Sequence, residues 1–183
     1  MRINKLFSNK GICSRKQTNV WIEAGRIQVK NNIIEYMAYP EFIFPVGRLD
    51  KDSQGLILMT NDGDLANQIL DADSMHEKEY LVTVHQPYDE TFLKKMASGV
   101  AIGTVVTRPC KLTPVSKDTF KIVLTQGMNR QIRKMCLTCG YKVTRLERIR
   151  ILFLEIENLP YGEWRYLNGE EVSELKLVAN HIE

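Results

Sequence analysis

Residues 47–56 read Gly-Arg-Leu-Asp-Lys-Asp-Ser-Gln-Gly-Leu and place one aspartate, Asp50, in a loop that is bounded by glycine. The chain is apolar directly after this loop, with Leu-Ile-Leu-Met at residues 56–59. A short loop that enters a buried strand is one way for a fold to present a single reactive carboxylate. Aspartate near glycine more often only closes a turn, so the spacing alone leaves both interpretations open.

Length and composition limit the class of protein. The 183 residues are enough for one well-buried domain and at most a small additional module. With 44% hydrophobic and 26% charged residues, the chain has the composition of an ordinary globular protein. No apolar run approaches the length of a membrane span, and the start Met-Arg-Ile-Asn-Lys does not resemble a signal peptide. We therefore expect a cytoplasmic protein with no membrane partner.

The basic residues are more informative in their distribution than in their number. The net charge of +3 does not by itself identify a nucleic-acid-binding protein. The basic residues form three clusters, within residues 2–16, 130–134 and 145–150. Each cluster alone is typical of a solvated surface, but three of them in one chain favour a polyanionic partner.

The four cysteines do not form a convincing metal site. Cys136 and Cys139 have the spacing of half a zinc site, but Cys13 and Cys110 are isolated and the three histidines are scattered. Both cysteines of the pair also fall on the apolar stripe of a predicted helix. We therefore predict reduced, structural thiols and no metal.

The hydrophobic periodicity predicts an α+β fold from residue 31 onward. Predicted strands are residues 42–46, 56–60, 79–84, 100–107, 119–125 and one within 141–155. Predicted helices are residues 64–70, 89–97 and 129–139, and a final helix that Asn168 and Glu171 can cap.

Three segments together resemble a known enzyme family. They are the loop at residues 47–56, His-Glu-Lys-Glu-Tyr-Leu-Val at 76–82, and Gly-Met-Asn-Arg-Gln-Ile-Arg at 127–133. They resemble motifs of the pseudouridine synthases, in the branch named after RsuA and, within it, the F type of synthase that acts on large-subunit ribosomal RNA. The resemblance implies a catalytic domain with a mixed, mainly antiparallel sheet and flanking helices. It also implies an isomerase that breaks the glycosidic bond of a uridine, rotates the base and rejoins it through carbon.

The same resemblance implies the site residues. Asp50 would be the nucleophile, Tyr80 would stack on the base and help to remove a proton from its ring carbon, and Arg133 would pair with Asp50. Because the reaction involves neither redox chemistry nor phosphoryl transfer, no cofactor is expected. The side chains predicted to contact RNA are basic or polar: Arg2, Lys5, Arg15, Lys16, Arg48, Arg130, Gln131, Lys134 and Arg148.

The N-terminal residues resemble a second, smaller unit. Residues 2–5, 11–15 and 23–27 resemble the alpha-L RNA-binding module that precedes the catalytic domain in this branch. Residues 30–36 already resemble a segment just upstream of the catalytic loop, whereas the family continues with further strands and a Lys-Pro-x-Gly string. We therefore predict a partial alpha-L module at residues 1–30, a catalytic domain at 31–183, and a break in the sequence near residue 30. A truncated variant is the alternative.

The resemblance to the F type implies the substrate. It is a uridine of large-subunit (23S) ribosomal RNA, with a tRNA anticodon uridine as a second target, and the enzyme is expected to be a monomer. Two other function classes stay open. One is a non-catalytic RNA-binding factor in ribosome assembly. The other is an acid/base hydrolase that uses Asp50 with Asp52.

Overall fold

The structure, a computed structural model, describes residues 33–71 and 73–180 of the chain. The chain divides into two compact units, Met1–Ile43 and Phe44–Glu183. The described part of the first unit contains one short helix, α1 (Ile33–Met37). The predicted alpha-L module and the predicted break near residue 30 lie outside the described residues and stay predictions.

The second unit alternates short strands and helices. In chain order its elements are β1 (Phe44–Pro45), β2 (Gln54–Gly55), β3 (Met59–Thr60), α2 (Gly63–Leu70), β4 (Lys78–Val84), α3 (Glu90–Ala97), β5 (Ala101–Ile102), β6 (Val105–Val106), β7 (Lys111–Pro114), β8 (Thr119–Leu124), α4 (Gln131–Thr138), β9 (Val143–Ile151), β10 (Leu154–Glu155) and α5 (Gly169–Asn180).

A six-stranded sheet forms the centre of this unit. Its strands run in the order β10-β9-β4-β8-β7, with antiparallel neighbours throughout, and β2 adds to β9 as a parallel strand. The sheet is therefore mixed and mainly antiparallel, with helices flanking it, which confirms the predicted α+β class. None of the helices within residues 33–71 and 73–180 has the length and hydrophobicity needed to span a membrane.

The strands have one apolar face because their side chains alternate. Val82 and Val84 of β4 are buried beside Phe120 and Ile122 of β8. Helices α3 and α4 complete this core with their own buried side chains, which include Phe92, Met96, Ile132, Met135 and Cys136. A second core lies where α2 and α5 pack with the end of β9, around Ile69, Ile151 and Leu175.

Helix caps fix the starts of three helices. Asp62 caps α2, because its carboxylate accepts from the Leu65 amide at 3.0 Å, and the helix begins at Gly63, one residue before the predicted start at residue 64. Asp89 caps α3 in the same way, at 2.7 Å from the Phe92 amide. Asn168 and Glu171 form the predicted reciprocal pair at the start of α5, with distances of 2.8 and 2.9 Å.

Candidate active site

The loop that carries Asp50 is attached to the middle of strand β9. Gln54 and Gly55 of β2 align with Glu147 and Arg148 of β9. The Leu56 amide donates to the Arg148 carbonyl at 2.7 Å, and the Arg148 Nε donates back to the Leu56 carbonyl at 2.7 Å. Gly55 has φ +104°, and a Cβ atom there would lie 2.3 Å from the Arg148 carbonyl oxygen. Only glycine permits this approach.

Asp50 is presented at the tip of the loop. Its side chain is 30% exposed, and its carbonyl accepts from the Ser53 amide at 2.9 Å, so the residue closes a turn as well. The Arg130 Nη1 lies 3.8 Å from the Asp50 carboxylate and 3.5 Å from that of Asp52. Arg130 is therefore the cation that the structure brings to the predicted nucleophile.

Arg133 has a different position from the predicted one. It binds the backbone of the loop: its Nη2 donates to the Asp52 carbonyl at 2.5 Å and lies 3.4 Å from the Ser53 hydroxyl. Its Nη1 donates to the Val143 carbonyl, where β9 begins, at 3.3 Å. Arg133 thus links the loop to the sheet. The predicted pairing of Arg133 with the Asp50 carboxylate is replaced by one with Arg130.

Arg130 reaches the loop from an unusual backbone conformation. It is the residue before α4 and lies in the left-handed region, with φ 53° and ψ 35° and no side-chain cap. A non-glycine residue in this region costs on the order of 1 kcal/mol and is often found at functional sites. The start of the helix therefore carries strain at the point where its side chain meets Asp50 and Asp52.

Tyr80 lies in β4 directly opposite Arg148 in β9. Its phenol interacts with the Arg148 guanidinium, and Lys78 lies two residues before it on the same face of the strand. Burial lowers the pKa of Arg148, although Tyr80 opposes this effect. Burial also lowers the pKa of Lys78, and the nearby positive charge of Arg148 adds to the effect. Tyr80 is thus flanked by two partly or fully buried cations.

The predicted RNA contacts divide into exposed, buried and undescribed residues. Arg48, Arg130 and Lys134 are exposed, as expected of phosphate contacts. Gln131 and Arg148 are only 4% and 3% exposed, so neither is available to the solvated RNA backbone. Gln131 instead accepts from the Met128 amide at 3.1 Å and supports the turn before α4.

The remaining predicted contacts, Arg2, Lys5, Arg15 and Lys16, lie outside the described residues.

A buried carboxylate that the sequence did not reveal also holds the loop. Glu147 of β9 has a side chain that is 7% exposed and accepts from the Arg145 Nη2 at 2.8 Å. The Tyr161 hydroxyl donates to it as well, and the Gln54 amide lies 3.5 Å away. Gln54 also donates to the Tyr161 hydroxyl at 3.1 Å, across 107 positions of sequence. A single sequence carries no local signal for a contact of that range.

The cysteines behave as core residues. Burial raises the pKa of Cys136 to about 12, which disfavours the thiolate that a metal would need. Within the described residues no three histidine, cysteine or acidic side chains are grouped so as to hold a metal ion. A metal-free enzyme stays a prediction, and activity is expected to survive chelation.

Comparison with known proteins identifies the family. Residues 12–138 match the family model described as RNA pseudouridylate synthase. The dual-specificity RNA pseudouridine synthase RluF of Escherichia coli K12 is 39% identical over 232 residues, which cover 98% of this chain and 80% of the relative. Because 232 exceeds the 183 residues of this chain, the matched stretch of the relative contains residues without a counterpart here.

A second relative and a solved structure belong to the same family of synthases. The ribosomal large subunit pseudouridine synthase B of Bacillus subtilis is 34% identical over 148 residues, 78% of this chain and 61% of that protein. A crystal structure of a pseudouridylate synthase superposes with a TM-score of 0.70 at 32% identity and covers 73% of this chain and 59% of that one. A loop aspartate attached to strand β9 and matches of this extent together place the chain in the family of RNA pseudouridylate synthases, which are isomerases.

Proposed function

We propose that this chain converts a uridine of large-subunit ribosomal RNA to pseudouridine, and that a tRNA anticodon uridine is a second substrate. The observation that carries the proposal is the fixed position of Asp50, in a loop bound by Arg130 and Arg133 and paired with β9. The names of the relatives support the choice of RNA: one is a dual-specificity synthase and another acts on the large ribosomal subunit.

The chemistry requires the target base to leave the RNA helix. Flipping a nucleotide out costs roughly a few kcal/mol, which stacking and backbone contacts recover. In this proposal Tyr80 supplies the stacking surface and the exposed Arg48, Arg130 and Lys134 bind phosphates.

Asp50 attacks the sugar in the first step. Its carboxylate bonds to C1′ while the bond from C1′ to N1 breaks and the electron pair stays on the uracil. The base then rotates, its C5 bonds to C1′, and Asp50 departs. The proton leaves C5, and N1 gains a proton. No atom is gained or lost, as an isomerisation demands.

Replacing Asp50 by asparagine tests the proposal. Asp50→Asn keeps the size of the side chain and removes its charge and most of its nucleophilicity. We expect release of tritium from RNA labelled at C5 of uridine to fall to background, with RNA affinity in a filter-binding assay nearly unchanged.

Substrates for this assay are transcripts of large-subunit rRNA segments and of tRNA. Turnover of Asp50→Asn near the rate of the parent protein would rule out Asp50 as the nucleophile. A parent protein that binds RNA and releases no tritium from any transcript would favour the non-catalytic binding factor instead. Mapping pseudouridine in RNA from cells that lack the protein would then identify the modified position.

A further inference from the structure

Arg148 is a buried arginine that has no carboxylate partner in the described part of the chain. Its side chain is 3% exposed, and its Nε is satisfied by the Leu56 carbonyl at 2.7 Å. Its Nη2, by contrast, is buried with no hydrogen-bond acceptor among the described residues. An unsatisfied buried donor is costly, and more so when it is charged. Such a group is expected where a ligand supplies the missing acceptor.

The surroundings of Arg148 indicate what that ligand is. Tyr80, the proposed stacking residue, lies opposite Arg148 and interacts with it. Lys78 adds a second positive charge on the same face and, in the described part of the chain, has no ion-pair partner either. An RNA phosphate stays in solvent and does not reach a group this buried, whereas a flipped base enters the protein interior. The acceptor is therefore on the base.

The geometry points to Arg148 as a catalytic residue whose Nη2 donates to a carbonyl oxygen of the flipped uracil. This inference rests on the proposed function. When the bond from C1′ to N1 breaks, the electron pair left on N1 spreads over the two carbonyl oxygens of the base. A fixed guanidinium at one of these oxygens binds the departing base more strongly than the intact nucleoside, and this difference accelerates cleavage. Asp50 acts on the sugar, and Arg148 acts on the leaving group.

The alternative role for Arg148 is only to fasten the loop through Leu56, and two RNA substrates separate the two roles. One carries uridine at the target position and the other carries 5-fluorouridine, whose electron-withdrawing fluorine stabilises the base anion. A residue that stabilises the same charge matters less for the fluorinated base. A residue that only positions the loop matters equally for both.

The experiment compares Arg148→Gln with the parent protein in single-turnover assays at saturating RNA. We expect the rate of target-nucleotide conversion to fall roughly 100-fold with uridine and clearly less with 5-fluorouridine, with RNA affinity unchanged. The control is Arg150→Gln: Arg150 lies on the same strand but on the other face, paired with Glu77 and Glu79. Any loss in this variant should be equal for the two RNAs.

If the conversion rate of Arg148→Gln falls equally with both RNAs, or falls with neither, the proposed role of Arg148 is overturned while the proposed function stays intact. If Arg148→Gln does not fold, Arg148→Lys is compared in the same way. This variant keeps the charge but not the two-armed geometry of the guanidinium group. Its rate of target-nucleotide conversion should again fall more with uridine than with 5-fluorouridine. If the parent protein converts neither RNA, the proposed function fails and this inference fails with it.

Discussion

Arg133 acts on the Asp50 loop through its two-armed guanidinium group. One nitrogen binds the loop at Asp52 and Ser53 while the other binds the Val143 carbonyl. A lysine has one ammonium group and cannot hold both sides. We therefore expect Arg133→Lys to lower kcat for pseudouridine formation by roughly 10- to 100-fold, with little change in RNA affinity.

Lys134, the next residue on α4, is the matched comparison. It is exposed and is a predicted phosphate contact. Lys134→Gln should weaken RNA binding and reduce its salt dependence, with kcat at saturating RNA preserved. A fall in affinity for Arg133→Lys, or in kcat for Lys134→Gln, would contradict this division of roles.

Sequence motifs say more about which residues are candidates for catalysis than about which side chains contact one another. The family motifs point to Asp50 and Tyr80, because both positions have distinctive neighbours, and the catalytic roles of these two residues stay predictions. The sequence assigned Arg133 to the Asp50 carboxylate and Arg130 to RNA, whereas in the structure the Arg130 guanidinium lies 3.8 Å from that carboxylate, a position that depends on the left-handed backbone just before α4. It also predicted Arg148 as an RNA contact and gave no sign that this side chain is buried, since the pairing of β4 with β9 contains an irregularity that local sequence does not show.

At the element scale, the contact between β2 and β9 depends on the absence of a side chain at position 55. Gly55→Ala would introduce a Cβ atom 2.3 Å from the Arg148 carbonyl oxygen, in a backbone conformation that alanine disfavours. We expect a loss of more than about 2 kcal/mol in the free energy of unfolding, or a displaced loop with little activity. Urea unfolding and the tritium-release assay distinguish these two outcomes.

Gly63 provides the control for that substitution. It begins α2, and a Cβ atom there would meet nothing within 4 Å. Gly63→Ala should be neutral or slightly stabilising, because alanine favours the helix. If the two alanine variants were equally stable, close backbone packing at Gly55 would not be what holds the loop.

The start of α5 should respond to acid. A hydrogen bond from Arg165, supported by the Asn168 amide, lowers the pKa of Glu171 to about 2 from its ordinary 4.5. Because the folded value is the lower one, the charged pair stabilises the protein above pH 4.5, and this contribution is lost as the pH falls from 4.5 toward 2. The stability difference between the parent protein and Glu171→Gln should shrink over that window.

Denaturant unfolding at several pH values measures this difference. Arg165→Gln removes the partner and should abolish most of the same acid-dependent part, although Asn168 still binds Glu171. A difference between the parent protein and Glu171→Gln that stays constant from neutral pH down to about pH 2 would be incompatible with the lowered pKa.

Helices with a capping pattern or a long hydrophobic periodicity were predictable from the sequence, whereas strands of only two residues were not. Periodicity predicted helices α3 and α4, and the Asn168 and Glu171 pattern located the start of α5. Residues 100–107, predicted as one strand, form instead the hairpin of β5 and β6 around Gly103, which has a positive φ of 63°. Two-residue strands such as β1 and β3 follow from tertiary contacts, and local sequence cannot specify them.

At the scale of the whole molecule, we expect the N-terminal basic residues to contribute affinity rather than chemistry. Replacing the charged side chains Arg2, Lys5, Arg15 and Lys16 together by glutamine should weaken RNA binding and flatten its dependence on salt concentration. The value of kcat at saturating RNA should be preserved. An unchanged salt slope would exclude these residues from the RNA-binding surface.

The sequence predicted the fold class because the family motifs and the periodicity agreed along residues 31–183. Domain limits were harder to predict, since the module at residues 1–30 rests on a resemblance alone. The match to RluF is longer than this chain, as expected both for a break in the sequence and for a truncated variant. That break stays a prediction.

The pairing of β2 with β9 also affects when the protein becomes active during its synthesis. Leu56 and Gln54 are held by side chains 92 and 93 positions further along the chain. A ribosome therefore releases Asp50 long before it releases the strand to which the Asp50 loop is attached, and such long-range contacts form late in folding. A nascent or truncated copy that ends before Val143 carries Asp50 but is expected to leave RNA unmodified.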